Sequence, residues 1–184
     1  MPIQTPICDF GKKAVSFELK STDEKILKLD DIKGENGTLI MFICNHCPYV
    51  KAVTKDIVED CNNLKKLGIN SVAICSNDAV NYPEDSFENM IKFANNNNFG
   101  FPYLFDETQD IAKKYKAECT PEFYLFNQKQ KLVYRGRMDE TSPGSNSKPS
   151  AKDLRSAINS LLMNEPISDD QLPSMGCNIK WKAN

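Results

Sequence analysis

The sequence predicts an α/β fold in which a mixed central sheet carries helices on both faces. Strand-like apolar runs alternate along the chain with segments whose apolar residues recur every three or four positions. Residues 38–43 form a continuous apolar run, which is typical of a strand buried on both faces of a sheet. Such alternation requires the helices to cover the two faces of one layered sheet.

The first predicted elements are a hairpin, a buried strand and a long helix. Residues 15–19 and 25–29 alternate apolar and polar on either side of the polar turn 21–24. The buried strand at 38–43 follows them. Residues 47–67 then have the apolar spacing of a helix, and Gly68 ends it. The apolar stripe consists of Val50, Val53, Ile57, Cys61, Leu64 and Leu67.

The remaining elements are predicted from the two-residue alternation of strands, the three- to four-residue spacing of helices, and turn residues. Asp106 with Gln109, and Ser150 with Asp153, have the spacing of helix caps. In chain order the predicted elements are a strand at 69–75, a loop at 77–83, a helix around 87–93, a strand at 103–105, a helix around 111–115, antiparallel strands at 122–126 and 131–134, a loop at 141–149 and a helix around 154–162.

The chain is expected to form one domain with a tail. Residues 1–163 contain the hairpin and the alternating elements, and residues 164–184 show no regular period after Pro166. Such a length is sufficient to bury a full hydrophobic core. We therefore expect the C-terminal tail to pack on the domain.

Composition excludes several classes of function. The net charge of −2 and the interleaving of lysines with acids give no basic patch for nucleic acid. No apolar run approaches the roughly 18 residues needed to cross a bilayer, and the mean hydropathy is −0.48. The first residues lack the basic and apolar regions of a signal peptide, so a cytoplasmic location is expected. In that compartment the seven cysteines are not expected to form structural disulfides.

Cys44-Asn45-His46-Cys47 is the strongest chemical signal in the chain, because it follows the buried strand and opens the long helix. Thiols at this spacing on a first helical turn come within bonding distance, and unpaired backbone N–H groups there favour a thiolate. The thiol pKa is expected to fall from about 8.5 towards neutrality. His46, the only histidine, either adds a cation that favours the reduced state or is a solvated residue without a tuning role.

The other cysteines have different expected roles. Cys61 lies on the apolar helical stripe and Cys75 ends a buried strand, so both are expected to be packed thiols. Cys8 receives no role. A zinc site is disfavoured because zinc needs four ligands and no second Cys-x-x-Cys pair exists. No metal or other cofactor is therefore expected.

Several motifs resemble those of the thioredoxin-like superfamily, in its redoxin branch, which includes alkyl hydroperoxide reductase and thiol-specific antioxidant proteins. The resemblance spans roughly residues 10–163. Its motifs are Phe17-Glu18-Leu19, Asp31-Ile32-Lys33-Gly34, Cys44-Asn45-His46-Cys47-Pro48, Asp106, Thr120-Pro121 and Tyr134-Arg135-Gly136. More closely, the chain resembles peroxiredoxin-like proteins that carry Cys-x-x-Cys-Pro-Tyr, Cys-Thr-Pro and a C-terminal Pro-Ser-x-Gly-Cys-x-Ile-Lys-Trp-Lys, which is residues 173–182 here.

The resemblance implies a thioredoxin-like fold and oxidoreductase chemistry without a cofactor. In that superfamily the residue pair matching Thr120-Pro121 has a cis peptide bond that faces the Cys-x-x-Cys, where a backbone edge can pair with a substrate chain. The expected substrates are protein or small-molecule disulfides, or peroxides. The expected electron donor is a dithiol protein or glutathione. Sheet edges and the tail are both candidate surfaces for oligomerisation.

The resemblance gives the two motif cysteines competing roles. In a thiol-disulfide oxidoreductase, the favoured interpretation, Cys44 attacks and Cys47 resolves. His46 then occupies the position of a histidine in the oxidase DsbA, which implies a more oxidising couple than the roughly −270 mV of thioredoxin. In a thiol peroxidase, Cys47-Pro48 matches the peroxidatic Cys-Pro and Cys44 replaces a Thr or Ser helper.

The peroxidase interpretation also requires an arginine to bind the peroxide. It is missing unless Arg135 or Arg137 folds inward. A third interpretation is a non-enzymatic redox sensor or binding module. Cys119, beside the Thr-Pro, contacts substrate or is merely packed. Cys177, in the tail, is either an extra resolving or regulatory thiol or an idle one.

Overall fold

The computed structural model describes residues 2–6, 9–145 and 150–183, so Cys8 and part of the loop predicted at 141–149 lie outside the described residues. The strands are β1 (Pro2–Gln4), β2 (Glu18–Ser21), β3 (Ile26–Lys28), β4 (Gly37–Phe42), β5 (Ile69–Cys75), β6 (Tyr103–Phe105), β7 (Cys119–Thr120), β8 (Glu122–Asn127), β9 (Leu132–Gly136) and β10 (Met175–Asn178). The α-helices are α1 (Leu29–Ile32), α2 (Pro48–Lys66), α3 (Phe87–Asn96), α4 (Asp110–Tyr115) and α5 (Lys152–Leu162), and a 3-10 turn spans Pro83–Asp85.

The main sheet is mixed, as the sequence predicts. Among the described residues it has seven strands in the order β3-β2-β6-β5-β4-β8-β9. Strand β4 is parallel to β5 on one side and antiparallel to β8 on the other, and all of its residues are buried. The predicted hairpin and the predicted antiparallel pair are confirmed as β2 with β3 and β8 with β9.

Helices cover both faces of this sheet. Along β4, Leu39 and Met41 point to one face and Ile40 and Phe42 to the other, because successive strand residues alternate. The first face packs against α2, α3 and α5, and the second packs against α1 and α4. The thioredoxin-like architecture is thereby confirmed, and the Cys-x-x-Cys segment leaves the carboxyl end of the central strand β4.

The structure contains a second, smaller sheet that the sequence does not predict. Strand β10 lies between β1 and β7 and is antiparallel to both. Its four residues, Met-Gly-Cys-Asn, are too few and alternate too little between apolar and polar side chains to predict a strand. The tail is therefore not irregular throughout, and part of it lies beside the Thr120-Pro121 peptide.

Two predicted helix caps are wrong. The residue that precedes α4 is Gln109, in the left-handed region at φ 67°, while the Asp106 carboxylate accepts the backbone N–H of Ile111 and of Ala112. The residue that precedes α5 is Ala151, not Ser150. Both helices start one or more residues later than the motif implied. Asp106 still accepts two free N–H groups of α4, and in α5 the N–H of Leu154 donates to the carbonyl of Met138.

Candidate active site

The two motif cysteines lie in the connection between β4 and α2. Cys47 is the residue before the helix, and Pro48 occupies its first turn, where a fixed φ and a missing N–H are tolerated. Cys44 lies three residues earlier, outside the helix. The prediction that both thiols lie on the first helical turn is therefore wrong for Cys44 and places Cys47 one residue too far into the helix.

Thr120 contacts both thiols. Its hydroxyl Oγ1 lies 3.3 Å from the Sγ of Cys44, and its carbonyl oxygen lies 3.2 Å from the Sγ of Cys47. The Thr120-Pro121 peptide bond is cis, as the resemblance implied. The structure thus brings together four of the predicted site residues: Cys44, Cys47, Thr120 and Pro121.

Both thiols are buried. Cys44 is 1% exposed and Cys47 is 0% exposed. The thiol that the sequence interpretation favours as the nucleophile, Cys44, is therefore shielded from solvent. Thr120 lies against both sulfurs, and Cys47 directly precedes α2.

Of the two motif cysteines, Cys47 is the one whose thiol pKa is lowered. A hydrogen bond from Cys44 is the main cause that lowers the pKa of the Cys47 thiol to about 5, with further contributions from the Cys177 thiol, the Val50 amide and Thr120. Burial acts in the opposite direction. In its protonated form, the Cys47 thiol donates a hydrogen bond to the Thr120 carbonyl. Ionisation loses this hydrogen bond, but the thiolate then accepts hydrogen bonds from several donors.

Cys44 has the opposite character. Its hydrogen bond to Cys47 raises the pKa of the Cys44 thiol well above the ordinary value, and burial and the charge of Asp85 raise it further. Only a thiolate attacks a disulfide or a peroxide. These directions favour Cys47 as the first nucleophile, whereas the sequence interpretation favoured Cys44.

His46 is held by a carboxylate that the sequence analysis missed. Its Nδ1 lies 2.6 Å from the Oδ2 of Asp85, whose side chain is 0% exposed. The same carboxylate accepts the backbone N–H of Asn45 at 2.7 Å and the side-chain amide of Asn77 at 2.7 Å. The imidazole also stacks parallel to the ring of Tyr82. His46 is therefore not a freely solvated residue.

Asn45, the other intervening residue of the motif, is also fixed. Its side-chain amide donates to the carbonyl of Glu84 at 3.0 Å, and its Oδ1 accepts the hydroxyl of Tyr103 at 3.0 Å. The motif is thereby tied to the 3-10 turn and to β6. No spacing rule links Asp85 or Tyr103 to the motif, since they lie about 40 and 60 residues away in the chain.

Cys44, His46 and Asp85 are close enough to suggest metal ligands. Within the described residues, their donor atoms lie within 4.8 Å of one another. Zinc needs four ligands, and both oxygens of Asp85 already accept hydrogen bonds from Asn45 and Asn77. The donor set therefore fits a hydrogen-bonded network better than a zinc centre.

The remaining cysteines of the core are packed thiols. Cys61 and Cys75 are buried, as predicted, and burial raises the pKa of each to about 12. Cys119 is buried as well, and its Sγ faces the carbonyl of Pro121 at 3.9 Å. Burial also raises the pKa of Cys119. These thiols stay protonated and unreactive near neutral pH.

The arginines that a peroxidase site would need have other partners. Arg135 does fold inward, but its Nε lies 2.8 Å from the carboxylate of the buried Glu122, and its Nη2 donates to the carbonyl of Lys116. Arg137 pairs with Asp153 at 2.7 Å. The charge of each guanidinium is thus directed at a carboxylate.

Cys177 is brought to the site by the tail. Its backbone is in register with Thr120 across the β10–β7 pair, and its side chain packs against the core cluster that contains Cys47. Burial, followed by a hydrogen bond to Cys47, raises the pKa of Cys177 to about 11. Unlike Cys44 and Cys47, Cys177 is partly exposed. Of these three cysteines, Cys177 is therefore the one that is not fully buried.

Comparison with known families agrees with this geometry. The AhpC/TSA family matches residues 10–135, which include the motif, the cis-proline peptide and Arg135. The chain belongs to the AhpC/TSA family. The redoxin resemblance is thereby confirmed. None of the curated proteins compared with the chain matches it.

Solved structures give the same fold. An uncharacterised conserved protein from Geobacillus kaustophilus is 44% identical, with a TM-score of 0.97 over 100% of this chain and 98% of that one. A hypothetical protein from Sinorhizobium meliloti is 35% identical, with a TM-score of 0.95 over 98% and 99% of the two chains. The thioredoxin domain of a thiol-disulfide oxidoreductase from Bacteroides vulgatus is 17% identical, with a TM-score of 0.58 over 68% and 86%. At that lower identity the likeness concerns the fold alone.

Proposed function

We propose that this AhpC/TSA family protein is a thiol-disulfide oxidoreductase in which Cys44 and Cys47 cycle between dithiol and disulfide. The contact of both sulfurs with Thr120 carries the proposal, because it brings together a thiol whose pKa is lowered, Cys47, and a thiol whose pKa is raised, Cys44. A reactive thiolate beside a resolving thiol is the arrangement that disulfide exchange requires. Thr120 contacts both sulfurs, through its hydroxyl and its carbonyl oxygen.

The first step is an attack by the Cys47 thiolate on one sulfur of a substrate disulfide. The substrate S–S bond breaks, a Cys47–substrate disulfide forms, and the second substrate sulfur leaves as a thiolate. Cys47 then carries no charge, so the main cause of the raised Cys44 pKa disappears. Formation of the mixed disulfide thus makes Cys44 easier to deprotonate.

The second step is an attack by Cys44 on the Sγ of Cys47. It expels the remaining substrate thiolate and leaves a Cys44–Cys47 disulfide. The substrate gains two electrons and becomes two thiols, and the protein loses the same two electrons. A dithiol protein or glutathione then returns the pair to the reduced state. No cofactor is required.

A peroxidase is the second candidate, and the acidity of Cys47 favours it. A Cys47 thiolate would attack the peroxide O–O bond, becoming a sulfenic acid as the alcohol or water leaves, and Cys44 would then displace water to form the disulfide. Thr120 also contributes to the lowered pKa of Cys47, so a hydroxyl-bearing residue is near the sulfur. The pairing of Arg135 with Glu122 weighs against this candidate.

Steady-state turnover with two oxidants separates these functions. Reduced protein is given either a small-molecule disulfide or a peroxide, with dithiothreitol as the electron source, and Cys44→Ser, Cys47→Ser and the distant Cys61→Ser are compared. We expect disulfide turnover in the wild type and in Cys61→Ser, and its loss in both motif variants. Peroxide consumption that persists in Cys44→Ser, without disulfide turnover in the wild type, overturns the proposal. A single stoichiometric oxidation without turnover also overturns it and favours a redox sensor.

A further inference from the structure

The backbone edge beside the cis-proline peptide is already occupied by the protein's own tail. Residues 173–182, named here the C-terminal strap, contain β10, which pairs Cys177 with Thr120 and Asn178 with Cys119. In the thioredoxin-like interpretation this edge would receive a substrate chain. Here an extended substrate polypeptide cannot add to it while the strap is in place.

Specific contacts fasten the strap on both sides of β10. Before it, the hydroxyl of Ser174 donates to the carbonyl of Gly136 at 2.6 Å. After it, Ile179 is buried, and the Lys180 carbonyl accepts the backbone N–H of Asp78 at 2.8 Å and the side-chain amide of Gln109 at 2.8 Å. These hydrogen bonds and the burial of Ile179 hold the strap in a defined position beside the site.

Glycine at position 176 permits the close approach of the strap to the site. A Cβ at that position would lie 2.0 Å from the carbonyl oxygen of Thr120, which is far inside contact distance. The adjacent residue, Cys177, then lies opposite Thr120, the residue that contacts both motif thiols. The strap therefore places Cys177 across from the residue that contacts Cys47 and packs its side chain against the cluster that contains Cys47.

The three thiols differ in access to solvent. Cys44 and Cys47 are 1% and 0% exposed, whereas Cys177 is partly exposed. A small disulfide that reaches Cys47 leaves an oxidised pair buried beneath the strap. A dithiol protein is too large to reach that pair, but it can approach Cys177, which is partly exposed in the strap.

We propose that Cys177 is a third redox thiol, which carries the disulfide from the buried Cys44–Cys47 pair to the surface for reduction by a dithiol protein. The proposal rests on the function proposed above. Cys177 loses its proton and attacks the Sγ of Cys47, the Cys44–Cys47 bond breaks, and Cys44 leaves as a thiolate that takes up a proton. This exchange transfers no net electrons and yields a Cys47–Cys177 disulfide.

Reduction then occurs at Cys177. A thiolate of the external dithiol attacks the Sγ of Cys177, and Cys47 departs as the leaving group. Departure is favourable because a thiol of low pKa leaves quickly, and Cys47 has the lowest pKa of the three. The second thiol of the dithiol protein then attacks the mixed disulfide, which releases Cys177 and completes a two-electron reduction.

Disulfide mapping tests the bond itself. Cys44→Ser protein is oxidised with a small-molecule disulfide, alkylated and digested without reduction. We expect most of the protein to contain a Cys47–Cys177 disulfide. A stable mixed disulfide on Cys47 with Cys177 alkylated overturns the proposal. Asn178→Ser, on the next residue of the same strand, is the control for perturbation of the strap, and we expect it to oxidise like the wild type.

The kinetics of reduction test the role of Cys177 in the full protein. Oxidised Cys177→Ser should be reduced by a small phosphine at the wild-type rate but by a dithiol protein about tenfold or more slowly. Equal rates with the dithiol protein overturn the proposal. If Cys177→Ser still forms and turns over a Cys44–Cys47 disulfide at the wild-type rate, the proposed function stands while this inference fails. If the wild type forms no Cys44–Cys47 disulfide, the proposed function is wrong, and the inference that rests on it is wrong as well.

Discussion

The carbonyl oxygen of Thr120 lies 3.2 Å from the Sγ of Cys47, and the same residue pairs through its backbone with the strap. The short strand Cys119–Thr120 therefore contacts the sulfur of Cys47 through Thr120 and pairs with β10 through both of its residues. Any change that moves the strap must also change the surroundings of Cys47. The acidity of Cys47 and its access to solvent are consequently coupled.

The first prediction concerns the charge of Cys47. Because its pKa is lowered to about 5, the thiolate absorbance of Cys47 should appear as the pH rises through about 5. It should be complete near neutral pH, whereas Cys44 should remain protonated there because its pKa is raised. Ultraviolet titration of the reduced protein measures this, and Cys47→Ser identifies the signal. A midpoint near the ordinary cysteine value of about 8.5 contradicts the prediction.

The second prediction concerns Asp85. Replacement by Asn removes a buried negative charge that raises the Cys44 pKa, so that pKa should fall. It also disturbs an acceptor for Asn45, His46 and Asn77, and should cost about 1–3 kcal/mol of unfolding free energy. Urea unfolding and thiolate titration check the two effects.

Glu84→Gln is the matched control for Asp85→Asn. It removes the same charge from the adjacent residue, whose side chain is exposed and whose backbone carbonyl alone contacts Asn45. We expect little change in either measurement. Equal effects of the two substitutions would mean that the net charge of this region, and not the buried hydrogen-bond network, determines the pKa of Cys44.

The sequence predicts the main sheet well because its strands have strong local patterns. Residues 38–43 and 69–75 are long buried runs, and α2 has a complete apolar stripe ended by Gly68. Short elements lack such a signal. Strands β1, β7 and β10 have two to four residues each and exist through their pairing with one another.

The site was predictable in its residue types but not in its electrostatics. The spacing of Cys44 and Cys47 predicts a redox pair, and the Thr-Pro motif predicts the residue that lies beside it. The choice of Cys47 as thiolate depends on donors from Cys44, Cys177 and the first turn of α2, which only the folded chain brings together. Asp85 is similarly invisible, since a lone buried carboxylate has no sequence signature.

The third prediction concerns Gly176. Replacement by Ala places a methyl group 2.0 Å from the Thr120 carbonyl, so β10 must move away from β7. Overpacking of this kind costs about 1–3 kcal/mol. Hydrogen exchange should increase in residues 173–182, and alkylation of Cys47 should accelerate. Met175→Ala, at an exposed position of the same strand, should change neither rate. Unchanged protection of the strap in Gly176→Ala contradicts the prediction.

The last prediction concerns the reduction potential of the Cys44–Cys47 couple. A lowered pKa means that the reduced state is stabilised as the Cys47 thiolate, and stabilisation of the reduced state makes a disulfide easier to reduce. The couple should therefore be more oxidising than thioredoxin, above about −270 mV. Equilibration of Cys177→Ser with glutathione buffers measures the pair without exchange to the strap, and Cys61→Ser is the control that retains all three thiols of the site. A potential at or below that of thioredoxin would show that the hydrogen bonds to Cys47 stabilise the oxidised state at least as much as the reduced one.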